Sequence, residues 1–170
     1  VSDIVIRPLI DEDAEAFKAL RLKAIEDATT AIWPAREEEA ARTLEDTRNR
    51  IHTTDHQVVF GAFAGRELIG IAGLRREPLA QVAHKAVLWG VFVDPAHRRG
   101  GVASRLLDAA IAHARAARVL QIHLCVNAEN PRAQALYRNA GFETFGVERR
   151  AMRVGDRFYD EEHMALRLDV

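Results

Sequence analysis

The chain has 170 residues and carries 24 Lys and Arg against 25 Asp and Glu, which predicts one domain over 1–170 and gives no overall field favouring nucleic acid or an anionic membrane. Its apolar stretches are short and interrupted by charge, and Val1-Ser2-Asp3-Ile4-Val5-Ile6-Arg7 lacks the regions of a signal peptide, so a cytoplasmic protein without membrane partners is expected. Cys125 is the only cysteine, which excludes an internal disulfide framework and a multi-Cys zinc site.

In chain order, Ile4 to Leu9 reads as a strand and Asp11 to Asp27 as a helix. Ala14, Phe17, Leu20, Ala24 and Ile25 supply its apolar stripe, and Asp11 is the expected N-cap. After the Trp33-Pro34 break, Glu37 to Ile51 reads as one second helix rich in Glu and Arg. Gln57 to Ala64 and Glu67 to Arg76 form a hairpin around Gly65-Arg66, and Ala86 to Val93 is the next strand. Gly90 inside that strand marks a bulge or a close ligand approach. Val102 to Ala117 has helical spacing at Val102, Leu106, Leu107, Ala110, Ile111 and Ala114. A crossover of that length predicts that Val119 to Val126 runs parallel to Ala86 to Val93. Asn130 and Pro131 open a short helix that Gly141 closes, and Phe142 to Val154 with Arg157 to Leu168 make a last antiparallel pair turning at Gly155-Asp156.

The most informative segment is the passage from Val91, Phe92 and Val93 through Arg98-Arg99-Gly100-Gly101 into Val102-Ala103-Ser104. A strand, a basic glycine turn and a helix start present unpaired N–H groups, close backbone approach and a positive dipole end, and so predict an anion site. The turn matches neither the P-loop nor the dinucleotide fingerprint. A nucleotide-phosphate binder is therefore only a distant rival.

Arg98-x-x-Gly101-x-Ala103 resembles the pyrophosphate loop of the GNAT superfamily of acyl-CoA-dependent N-acetyltransferases. Val91, Val93, Asp94 and Pro95 match its preceding strand, and Asn130 with Tyr137 matches its downstream N-x6-Y element before Gly141-Phe142. The likeness extends over residues 57 to 168. It implies a mixed, largely antiparallel sheet flanked by helices, with a splayed central parallel strand pair. It also implies acetyl transfer from acetyl-CoA to a primary amine in a ternary complex, without a metal. On this resemblance the backbone from Arg99 through Gly100, Gly101, Val102, Ala103 and Ser104 holds the CoA pyrophosphate, with Arg98 and Arg99 side chains adding charge more than geometry. The main chain of Val91, Phe92 and Val93 pairs with the pantetheine amides, as an added strand would. Asn130 contacts the cofactor near pantetheine, although its N-cap role alone explains its identity. Tyr137 protonates the departing thiolate.

Several relatives place a glutamate base where this chain has Cys125, and a cysteine in an apolar strand is more often packed and inert. His84, His123 and Asp160-Glu161-Glu162 are the other residues from which a base acting through water could come, the acidic group reading first as exposed hairpin charge. Trp33, Glu37-Glu38-Glu39 and the last hairpin lie where relatives form the acceptor side. The alternative function is a non-catalytic acyl-CoA-binding or sensing module. A homodimer is compatible with the sequence.

Overall fold

A computed structural model describes residues 3–170. Seven strands form one sheet in the order β1-β2-β3-β4-β5-β7-β6. The strands are β1 (Ile4–Pro8), β2 (Gln57–Ala64), β3 (Glu67–Arg76), β4 (Lys85–Val93), β5 (Gln121–Asn127), β6 (Glu143–Val154) and β7 (Arg157–Arg167). All neighbours are antiparallel except β4 and β5, which are parallel, as the crossover helix requires. The expected α/β fold with a mixed, largely antiparallel sheet is therefore present.

Alternation along the strands sends apolar side chains to both faces. In β2, Val58, Phe60 and Ala62 enter the core that contains the buried side of α4 (Val102–Ala116) and Tyr137 of α5 (Pro131–Asn139). Val59 and Phe63 join a second core on the opposite face with Phe17, Leu20 and Ala24 of α1 (Ala14–Asp27). The five stripe residues expected on α1 are all buried, and Arg21 is buried with them. Among the described residues no helix is long and apolar enough to cross a membrane.

Two local expectations need correction. Asp11 does not cap α1: a 3-10 turn, Asp11–Asp13, precedes the helix, and Asp13 accepts the Ile10 N–H at 2.8 Å while pairing with both terminal nitrogens of Arg7. Asp11 instead meets the His52 ring at 3.0 Å. The single helix expected over Glu37 to Ile51 is two, α2 (Arg36–Ala40) and α3 (Leu44–Ile51). Thr43 makes the break, since its hydroxyl accepts the Asp46 N–H at 3.0 Å and caps α3. The sequence Thr43-Leu44-Glu45-Asp46 carries that cap signal inside a Glu- and Arg-rich run with no Gly or Pro to mark a break.

The feature that positions the site is the divergence of β4 from β5. Their pairing covers only Lys85↔Gln121, Ala86↔Ile122 and Val87↔His123. From there β5 stays paired with β7 as far as Asn127↔Glu161, while β4 stays with β3. The gap therefore opens between the part of β4 beyond Val87 and the part of β5 beyond His123. On its other side β4 bulges, advancing three residues from Trp89 to Phe92 while β3 passes two, from Gly73 to Ile71. Gly90, at φ +66°, supplies the left-handed residue that this extra position needs. The bulge expected at Gly90 is thus where the strands part.

Candidate active site

The turn between β4 and α4 leaves a row of backbone donors free. Arg99 and Gly101 both lie in the left-handed region, at φ 70° and 74°, and α4 has no side-chain cap at its N-terminus. From Arg99 through Ser104 no backbone N–H finds an acceptor among the described residues; the first donor of the helix with one is Arg105, bonded to Gly101 O at 3.1 Å. Arg99, Gly100, Gly101 and Ser104 are exposed, whereas Val102 is buried and contributes only its main chain to this row. Unpaired N–H groups at a helix start can receive an anion, and a non-glycine residue held in the left-handed region is a feature that clusters at binding sites.

Arg98 behaves differently from the expectation that it adds mainly charge. Its Nε donates to Val93 O at 3.1 Å and its Nη2 pairs with Asp27 at 2.7 Å, so its charge is compensated and its contribution is geometric. A second tie lies nearby: Asp94, 5% exposed, accepts from the Ala96 N–H at 3.0 Å and pairs with Lys23. The Lys23 ammonium and the Ala96 N–H hold the Asp94 carboxyl below the usual carboxylate range. The last turns of α1, through Lys23 and Asp27, therefore clamp both ends of the segment that leads into the glycine turn. Asp94-Pro95 is a legible helix-start pair, but its Lys23 partner, 71 residues away, leaves no sequence signal.

Along the gap, Phe92 and Val93 are buried in the two opposite cores and Val91 is half-buried. Beyond Val87 the β4 edge that faces β5 has no strand partner among the described residues. An extended amide-bearing ligand could add to that edge. Asn130 caps α5, its Oδ1 accepting the Ala133 N–H at 3.1 Å. At the other end Phe142 N donates to Tyr137 O at 3.0 Å after Gly141 at φ +101°.

Tyr137 is 8% exposed and its ring meets Phe142 edge-on at 5.9 Å. Its hydroxyl makes no hydrogen bond among the described residues, and burial pushes the phenol above its ordinary range. It is thus held as a neutral donor whose proton is not engaged by the fold.

The other face of the gap carries the groups relevant to an acceptor. Cys125 lies on β5 opposite His163 of β7, with Sγ 3.4 Å from Nδ1. Partial desolvation, then the Glu161 and Glu148 charges, push the thiol up to about 11. It stays protonated near neutral pH, which disfavours it as a nucleophile. Cys125→Ala is accordingly expected to retain acetyl transfer; a trapped Cys125 thioester together with lost activity would instead establish covalent catalysis.

The reading of Asp160-Glu161-Glu162 as exposed hairpin charge is corrected at its centre. Glu161 is 5% exposed and accepts from Trp33 Nε1 at 2.9 Å. Asn127, also buried, donates to Thr30 O at 2.9 Å. These two bonds lay the 28–35 loop across the C-terminal end of β5 and the β7 residue paired with it, which sequence reading did not foresee. Within Glu37-Glu38-Glu39, Glu38 accepts the Ala35 N–H at 3.2 Å, and Glu39, 1% exposed, receives Arg21 at 3.3 Å and Arg50 at 3.2 Å. Arg21 Nη1 lies 3.4 Å from the point where a Cβ on Gly90 would sit, so this buried cluster adjoins the bulge. Of the candidates for a base, His84 sits at the far end of β4, and His123, its imidazole pushed down by burial and by Lys85, contacts Gln121 at 3.0 Å.

Comparison with known proteins agrees with this architecture. The model of the acetyltransferase (GNAT) family matches residues 22–142. N-alpha-acetyltransferase RimI of Mycobacterium tuberculosis is 36% identical over 110 residues, covering 62% of this chain and 65% of that protein, so the match spans less than two thirds of its length. A ribosomal-protein-alanine N-acetyltransferase from Brucella melitensis superposes with a TM-score of 0.81 at 29% identity, covering 96% of this chain and 99% of the other. A GNAT-family acetyltransferase from Streptococcus pneumoniae shares the fold, with a TM-score of 0.88 at 23% identity over 98% of this chain and 100% of the other. The family match takes in β2 to β5, the glycine turn, α4 and α5, and the chain belongs to the GNAT family of acetyltransferases.

Proposed function

We propose that this chain moves an acetyl group from acetyl-CoA to a primary amine by direct attack within a ternary complex. The observation that carries the reading is the row of unpaired N–H groups from Arg99 to Ser104 at one end of the gap between β4 and β5. In this reading those groups take the pyrophosphate. The free β4 edge at Val91, Phe92 and Val93 takes the pantetheine amides, and Asn130 lies beside that arm. An N–H near Val91 stabilises charge developing on the thioester oxygen, and Tyr137 supplies the proton that the leaving sulfur takes. The RimI relative's name supports an amine as acceptor.

Release of free thiol from acetyl-CoA in the presence of an amine panel, with the acetylated amine identified by mass, tests the activity. CoA binding without release for any amine would favour the acyl-CoA-binding module instead.

The pyrophosphate placement has its own test. A Cβ at Gly101 meets nothing within 4 Å, so a side chain there would project into open space over the cradle at the cost of a left-handed φ. Gly101→Glu should weaken CoA binding by roughly 10- to 100-fold, the range set by losing charge-assisted hydrogen bonds. Gly101→Ala carries the same backbone strain without the anion and should lose much less. Titration calorimetry with CoA checks both variants, and equal affinity in wild type and folded Gly101→Glu would sink the placement.

A further inference from the structure

We propose that His163, oriented by Glu148, is the general base that removes the proton from the acceptor amine. This rests on the amine-acetylation reading above and names a residue for a step that the reading leaves without one.

An amine nucleophile is mostly protonated near neutral pH and cannot attack until that proton is gone. The position that holds a glutamate in several relatives is Cys125 here, and its thiol, held up to about 11, does not supply a thiolate. The strand neighbour of Cys125 is His163, directly across the β5–β7 ladder and on the same face. Pairing between β4 and β5 ends at Val87↔His123, so Cys125 lies two residues, about 7 Å, into the open part of the gap. The His163 ring lies beside that residue, with Nδ1 at 3.4 Å and Nε2 at 3.9 Å from Sγ.

The ring also lies beside β6. Glu148 Oε2 lies 3.6 Å from Nε2, and the Phe145 ring meets the imidazole at 6.1 Å with an interplanar angle of 64°. The carboxylate on the Nε2 side is placed to orient the ring, and Nδ1 is the nitrogen nearer Cys125. The side chain is about one third exposed, at 34%, so an amine or a bridging water can reach it. The charged and titratable groups around it are Cys125 and His123 on β5, Glu148 on β6 and Glu161 on β7. Of the histidines named from sequence, neither has this combination of carboxylate partner, access and position.

The protons balance. Nδ1 of His163 takes one proton from the ammonium and later yields it to water. The free amine forms the C–N bond as the C–S bond breaks, and the sulfur takes the Tyr137 proton. The second amine proton returns to the Tyr137 oxygen. One proton is released per amide and thiol formed.

The test compares kcat/KM against pH for wild type, His163→Gln and Glu148→Gln, with CoA affinity and circular dichroism as checks on folding. His163→Gln is expected to lower kcat/KM roughly 10²–10⁴-fold near neutral pH. The deficit should shrink as rising pH deprotonates the amine in solution, and CoA affinity should be unchanged. Glu148→Gln removes the carboxylate beside the ring and is expected to lower kcat by less than His163→Gln does, with KM for acetyl-CoA unchanged. Cys125→Glu added to His163→Gln should recover part of the rate by placing a carboxylate in the gap. A wild-type rate and profile in His163→Gln would overturn the assignment while leaving amine acetylation standing. Absence of acetyl transfer by wild type to every amine tested would overturn both.

Discussion

Tyr137→Phe should lower the rate of acetyl transfer roughly 10²–10⁴-fold, the range for losing a general acid, while CoA affinity and stability stay near those of wild type. The separation follows from how the residue is held. Its ring is nine-tenths buried and packs edge-on against Phe142, and phenylalanine keeps that contact. The hydroxyl has no partner among the described residues, so deleting it leaves no orphaned donor or acceptor in the fold. Burial keeps the phenol protonated well beyond neutral pH, which preserves the proton to be given. Single-turnover measurement of thiol release, with chemistry limiting, reads the effect, and binding of CoA is measured separately. Equal single-turnover rates would leave Tyr137 as a core aromatic.

Local rules made much of this architecture readable. The start of α4 after Gly101, the bulge at Gly90 and both ends of α5 follow from residues adjacent in the chain, where capping and left-handed glycine have direct sequence signals. The left-handed glycine turn ahead of α4 and the place of Tyr137 on α5 follow likewise from residues close together in the chain. What was not readable depends on partners brought together by the sheet. Glu161 looks like one of three hairpin charges until β7 pairs with β5 and Trp33 arrives from 128 residues away. Lys23 looks like a solvated helix charge until Asp94 is placed beside it. His163 has no motif of its own, and its relation to Cys125 appears only through the strand register. The last hairpin also lies outside residues 22–142, the part that the family model matches.

Glu39→Gln should destabilise the fold by about 3–5 kcal/mol, the cost of breaking a buried ion cluster by removing one sign of charge. Glu39 is 1% exposed and is the carboxylate shared by Arg21 and Arg50, with Arg42 at 3.5 Å. Arg21 is itself 3% exposed, and Arg50 lies with its guanidinium 4.8 Å from the Trp89 ring centre. Burial, followed by the repulsion of Arg21, pushes Arg50 down to about 10, which marks how little surplus negative charge the cluster has. Glutamine keeps the volume and one acceptor but leaves adjoining guanidiniums without a counter-charge. In a chain of this size such a loss corresponds to a fall of order 10 °C in Tm. Because Arg21 reaches the Gly90 bulge, the same change should also loosen β4 there, and, on the proposed function, acetyl transfer should fall even at temperatures where the variant is folded. Thermal and urea unfolding measure the first effect. A loss under about 1 kcal/mol, within the range of an exposed pair, would show that water reaches these guanidiniums and that the cluster does not hold α1, α2 and α3 on the sheet.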